Sequence, residues 1–418
     1  MLFLATVAGT ISLQSCRKDP TLPVLTTGQA TEVTVSSAGL NGKITDDGGA
    51  VVTARGFCWG TEADPSLDDE FTPSGTGTGE FIATINELEP NTRYHARAYA
   101  ENSVGIAYGN DVEFVTSTAP PAVTTGPVSN IAALTASSGG NITYDGGATI
   151  TSKGVCWSTS PLPDISDPHT SDGTGSGIFT STIPNLNPAT LYYLRAYASN
   201  GSWTVYGEEV SFRTKLSDIE GNLYNTVLVG TKLWMTENLR TTILNDNTQI
   251  PEIQDNTLWV GATTPAYCWY YNDPTFKPTY GALYNWHAIN SGKLCPSGWH
   301  VPTDDEFNAL EISLGMAADQ ATVWGWRGTD HGLKIKNTTG WTENGNGTNT
   351  SGLSALPGGY RFGADGQFVL QTTITYWWTA TEHDADRAWY RRLDSSSSQV
   401  YRASTLKKGG KYVRCVRN

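Results

Sequence analysis

Apolar and polar residues alternate in short runs over the first half of the chain. In Tyr94-His95-Ala96-Arg97-Ala98-Tyr99-Ala100, the residues Tyr94, Ala96, Ala98 and Ala100 fall on one face, and His95, Arg97 and Tyr99 fall on the other. A period of two marks a strand with one face turned to a core. Such runs, bounded by Gly, Asn and Pro, recur through residues 23–215 and predict β-sandwiches.

The whole pattern occurs twice. TTG at 26–28 returns at 124–126, DGGA at 47–50 returns at 145–148, and GFCW at 56–59 returns as GVCW at 154–157. LEPNTRYHARAYAEN at 88–102 returns as LNPATLYYLRAYASN at 186–200, and every pair is 98 positions apart. A fixed period with no gap means two copies of one structural unit. The prolines of Thr118-Ala119-Pro120-Pro121 predict a stiff joint between them.

Beyond Leu216 the alternation weakens. A turn and then a strand are expected over Asp218–Val227, and one helix is expected after Pro302. Thr303 suits its N-cap, Glu306 completes a capping box, and Asp304 and Asp305 complement the dipole of the first turn. Phe307 and Leu310 would share the inward face. The fold class expected is therefore mainly β and multidomain.

At the N-terminus, the apolar residues 1–15 are too short a run to span a bilayer and fit a signal-peptide core. Leu13-Gln14-Ser15-Cys16 resembles a bacterial lipobox, which implies lipidation at Cys16 and a tether over 16–22. Several acyl chains on one cysteine anchor a protein stably. The expected location is the bacterial cell envelope, as an outer-membrane lipoprotein facing the periplasm or the exterior.

Composition sharpens the class. The 14 Trp and 19 Tyr exclude a disordered chain, and the 44 Gly and 20 Pro argue against a helical bundle. Net charge is −13, of which −11 falls in the first 215 residues. With no basic patch to neutralise phosphates, nucleic acid is excluded as a partner. Eleven of the 14 Trp lie in 216–418.

Two resemblances add to this. Leu-x-Pro-x-Thr-x-Tyr-x-x-Arg-Ala-Tyr-Ala-x-Asn, with the closing Val112–Thr116 and Val210–Thr214 runs, resembles the last two strands of fibronectin type III domains. It implies immunoglobulin- or fibronectin-like sandwiches over 23–117 and 121–215. In the second half, Trp234-Met235-Thr236-Glu237-Asn238-Leu239-Arg240, Gly281–Trp286, Cys295–Thr303, Ala355–Gly359 with Arg361, Trp377–Thr381 and Val413–Val416 follow one another in order. Together they resemble the Fibrobacter succinogenes major paralogous domain over 216–418.

More distantly, the Val301–Phe307 helix start and the terminal Val413–Val416 resemble formylglycine-generating (sulfatase-modifying) and C-type lectin-like domains. This implies a loop-rich α+β fold whose chain ends meet in one sheet. Cys295 and Cys415 both sit in the family motifs, which implies their pairing. Cys268–Cys295 is the competing bridge, and Cys58 and Cys156 are expected as small core residues.

Candidate chemistry is sparse. The six His form no HExxH or similar ligand spacing, so no metal and no cofactor are expected. The calcium motifs of sugar-binding lectins and the oxidising cysteine pair of the formylglycine enzymes have no counterpart. A helix N-terminus accounts for Asp304, Asp305 and Glu306 without catalysis.

Trp299, Trp377 and Trp378 are expected in the core. Trp324, Trp326 and Arg327, in a run that reads as a loop, are candidate ligand contacts, as are Trp389 and Arg391 on a strand. Indole faces stack on sugars, and arginine pairs with acidic groups. The expectation is a non-enzymatic, membrane-anchored protein whose C-terminal domain serves adhesion or glycan binding. The alternatives are a structural envelope protein that binds another protein and, third, a hydrolase or modifying enzyme.

Overall fold

The computed structural model describes residues 18–418, so the expected signal segment and Cys16 lie outside the described residues. Short strands dominate, at 39% strand against 10% helix, as expected of a mainly β, multidomain chain.

The two repeats fold alike. In the first, strands Val24–Thr27, Ala38–Asp46 and Gly79–Ile85 form one antiparallel sheet. Strands Ala54–Gly60, Glu70–Pro73, Arg93–Asn102, Gly105–Tyr108 and Val112–Val115 form the other. Tyr94, Ala96, Ala98 and Ala100 all point into the core with Leu40, Ile44 and Phe57. The second repeat has the same two sheets, except that an isolated Cys156–His169 bridge replaces the Glu70–Pro73 strand, and it has its own core around Ile142, Val155 and Leu194.

Equivalent side chains make equivalent bonds. The Tyr94 hydroxyl accepts from the Glu89 backbone N–H at 3.0 Å, and Tyr192 accepts from Asn187 at 3.0 Å. Each of these rings stacks at 5.8 Å on the Phe of the closing strand, Phe114 or Phe212. Asn102 Nδ2 donates to the carbonyls of Thr21 and Asp47, and Asn200 Nδ2 donates to those of Ala119 and Asp145. These bonds tie the entry of each unit to its DGGA turn, where Gly48 and Gly146 adopt positive φ. Cys58 and Cys156 are buried free thiols, and burial pushes their pKa up to about 12 and about 11. That suppresses the thiolate a reactive cysteine needs.

After Leu216 two four-stranded antiparallel sheets organise the chain. One orders Thr226–Val229, Lys232–Met235, Val416–Arg417 and Trp299–His300, so the last strand lies between early ones and closes the fold. The other orders Gly325–Arg327, Val400–Leu406, Arg387–Asp394 and Ile374–Glu382.

Thr303 caps the helix Asp304–Ser313, and the reciprocal Thr303/Glu306 capping box is present. Phe307 and Leu310 turn inward, with Phe307 against Trp234 at 5.3 Å. Cys295 and Cys415 form a disulfide, so the Cys268–Cys295 alternative is not realised and Cys268 stays a buried thiol.

Eight Trp of this region are buried: Trp234, Trp259, Trp269, Trp286, Trp299, Trp341, Trp377 and Trp378. Several indole N–H groups find carbonyls, as Trp259 does at Lys408 and Trp378 at Tyr284. A large apolar ring with its one donor satisfied is a favourable core element.

Candidate functional site

The sheet that contains Gly325–Arg327 has two faces of different character. Successive side chains on a strand alternate, and residues in register across strands share a face. Tyr376 lies opposite Arg392, Arg392 opposite Tyr401, and Tyr401 opposite Trp326. Register alone therefore lines up Tyr376, Arg392, Tyr401 and Trp326 across all four strands. At a strand spacing of about 4.8 Å, the row is about 14 Å long.

The contacts follow. Trp326 meets Tyr401 edge-on at 5.0 Å, and Tyr376 meets the adjacent Tyr390 at 5.1 Å. The Arg392 guanidinium lies 5.4 Å from the Trp326 ring centroid and 5.7 Å from those of Tyr376 and Tyr401. Tyr360 extends the row from Tyr376 at 4.3 Å, and Phe362 continues it at 6.3 Å.

Both ends of the row reach solvent, with Trp326 36% and Phe362 42% exposed. Tyr360, Tyr401 and Arg392 are half-buried between them, while Tyr376 and the adjoining Tyr390 are buried in the core. The floor is apolar enough that desolvation raises the pKa of Tyr360, Tyr376 and Tyr390, so these hydroxyls stay neutral and able to donate.

Beneath this surface lies Lys411, only 2% exposed. Its Nζ is 4.1 Å from the Trp378 ring centroid and 5.4, 5.5 and 5.7 Å from those of Tyr390, Tyr376 and Tyr360. Burial pushes its pKa down to about 7.

Residues 227–417 match the Fibrobacter succinogenes major domain. The match takes in the capped helix, both disulfide cysteines and every residue of the aromatic row. No curated protein matches the chain. Among solved structures, the sensor domain of the anti-sigma factor RsgI4 in Pseudobacteroides cellulosolvens is similar at 18% identity. The likeness covers 23% of this chain and 94% of that one, with a TM-score of 0.19.

The structure distributes the five expected ligand contacts unequally. Trp324–Arg327 was expected to be a loop, yet Gly325–Arg327 is an edge strand paired with Val400–Arg402. Trp326 faces the aromatic row. Trp324, 49% exposed, turns away and packs on Trp389 at 4.9 Å and on His383 at 5.7 Å.

Arg327 and Arg391 are corrections. Both are buried and committed to the capped helix. Arg391 donates to Asp304 at 2.5 Å, to Glu311 at 2.9 Å and to Asn308 at 2.8 Å, and Arg327 pairs with Glu311. Neither can reach an acidic ligand. Trp389 is half-buried, and its ring covers the Arg402 guanidinium at 3.6 Å, while Arg402 in turn donates to Asp304. Trp389 thus roofs an ion-pair network.

Asp304 and Glu306 of the acidic cluster are equally occupied, and Asp305 is exposed. Desolvation acts to raise the pKa of Asp304, but hydrogen bonding to Arg402 and the charge of Arg391 outweigh it and lower the carboxyl. Glu306 is pulled down to about 2, because the Thr303 backbone, His300 and Lys232 overcome its desolvation. A general acid needs the opposite shift. Among the described residues, no group of three or more His, Cys, Asp or Glu could hold a metal ion.

Sequence reasoning missed Tyr376, Arg392, Tyr401, Tyr360 and Lys411. The period-two run Trp389-Tyr390-Arg391-Arg392 was the available signal, since it sets Tyr390 and Arg392 on one face. Which strands would sit beside it required the register.

Proposed function

We propose that this chain is a cell-envelope lipoprotein whose two fibronectin-like repeats hold a non-catalytic recognition domain away from the membrane. The recognition domain binds glycans, and the aromatic row Trp326–Tyr401–Arg392–Tyr376 is its platform. The observation that carries this is the row's in-register placement across a sheet with solvent at both ends. Ring faces offer apolar contact to sugar C–H groups, while tyrosine hydroxyls and a guanidinium offer hydrogen bonds to sugar oxygens.

Cys16 supplies the membrane anchor in this proposal, and the repeats act as spacers. Neither role requires a catalytic group.

The test is a glycan array probed with the intact chain, with and without calcium. Binding lost in Trp326→Ala and Tyr401→Ala supports the proposal, and silence from a folded sample overturns it. A protein partner is the second reading, favoured by the same row, because Trp, Tyr and Arg dominate protein-binding hot spots. An array-silent chain that co-purifies with one envelope protein, lost on Trp326→Ala, would establish it.

A further inference from the structure

Of two cations in the platform, one is incompletely hydrogen-bonded and the other has no side-chain acceptor among the described residues. Arg392 pairs through Nη2 with Asp394, yet its Nε is buried and has no hydrogen-bond partner. The Nζ of Lys411 has aromatic faces around it, and no side-chain acceptor binds it among the described residues. Desolvation alone accounts for its lowered pKa, with no carboxylate compensating.

The contrast with the rest of the domain is informative. Asp304 meets Arg391 and Arg402, and Glu382 meets Lys407, whereas Arg327 on Glu311 resembles Arg392 in leaving buried nitrogens unpartnered. Buried charges normally have such partners, because an unpaired one is costly. Lys336, similarly buried, donates to the carbonyls of Asp394 and Ser397. Arg392 and Lys411 share a neighbour, the Tyr376 ring, whose centroid is 5.7 Å from the Arg392 guanidinium and 5.5 Å from Lys411 Nζ. Two positive groups against one carboxylate, Asp394, leave this patch with an excess of positive charge. The surrounding rings are apolar, so the field there is poorly screened.

We infer that the platform selects acidic glycans, with the sugar ring stacked on Trp326 and Tyr401 and its carboxylate drawn to the Arg392–Lys411 patch. This rests on the glycan reading of the same row and adds the charge class of the ligand. A carboxylate there meets the solvent-facing part of the half-buried Arg392 guanidinium and offsets the Lys411 charge through the intervening rings. Ligand binding would also favour the protonated ammonium, by supplying the counter-charge that the folded chain does not.

The experiment titrates the intact chain with uronate oligosaccharides (galacturonan, glucuronan and alginate fragments) and with the same oligosaccharides after carboxyl reduction. The expected result is at least one uronate bound about tenfold or more tightly than its reduced counterpart. That preference should collapse in Lys411→Met and in Arg392→Gln, while Trp326→Ala weakens both forms. Lys411→Met replaces a buried cation with an apolar chain of similar length, so it should stay folded, and a thermal melt checks both variants. Equal affinity for reduced and native forms, or a preference unchanged in Lys411→Met, overturns the charge assignment and leaves the glycan platform standing. No binding of any oligosaccharide overturns both.

Discussion

Arg391 donates to Asp304 at 2.5 Å with both side chains buried, and Arg402 holds the other oxygen of the same carboxylate at 2.6 Å. This junction fastens the start of the capped helix to the middle of the second sheet. Removing one partner of a buried pair leaves the other charge uncompensated, at a cost of about 3–5 kcal/mol. Asp304→Asn should therefore lower stability by about that much, read as a shift of the urea midpoint. A change under about 1 kcal/mol would mean the network is solvated in solution.

Lys411 gives a pH dependence of definite sign. Its pKa falls from 10.5 in the unfolded chain to about 7 in the folded one. Below the folded value the ammonium is charged in both states and burial penalises folding. Between about 7 and 10.5 the unfolded chain binds more protons, so stability rises with pH. Lys411→Met removes this dependence. In paired thermal melts the variant should be the more stable at pH 6, and its advantage should shrink as pH rises to 10. A gap that stays constant across that range would show that Lys411 titrates normally.

The disulfide joins Cys295 to Cys415 across 120 positions. Constraining a loop of that length is worth about 4–5 kcal/mol in the chain-entropy account, although engineered cases often deliver less. The double variant Cys295→Ala/Cys415→Ala should lose a few kcal/mol in equilibrium unfolding. The terminal strand Val416–Arg417, held between Lys232–Met235 and Trp299–His300, should be the first to lose amide-exchange protection. Unchanged protection there would separate the bridge from the closing strand.

Much of this fold was legible because its signals are local. The alternation around Tyr94–Ala100 needed only the period of a strand, and the 98-residue repeat needed only comparison of the chain with itself. The Thr303/Glu306 box lies within one turn of helix. The Cys295–Cys415 pair came from family motifs, since with Cys268 present spacing left more than one bridge open. What was not legible was the partner of each strand. Arg391 and Arg392 are adjacent and chemically identical, yet one is buried against Asp304 and the other lies in the aromatic row, because alternation sends neighbours to opposite faces. Trp324 and Trp326 are two apart and still diverge, because Trp324 precedes the edge strand that orients Trp326. Lys411 reaches the platform from near the chain's end, a contact that local pattern cannot show.

The central claim, a glycan platform on the face that carries Trp326, is tested most directly by titrating one array-identified glycan into the intact chain and two single variants. Truncating a ring at the centre of a contact typically costs more than about 1 kcal/mol. Trp326→Ala should therefore weaken binding about tenfold. Trp324→Ala, on the opposite side, should bind as the parent does. Equal loss in both variants, or loss in Trp324→Ala alone, would contradict the account and move the site to the Trp324–Trp389–His383 cluster.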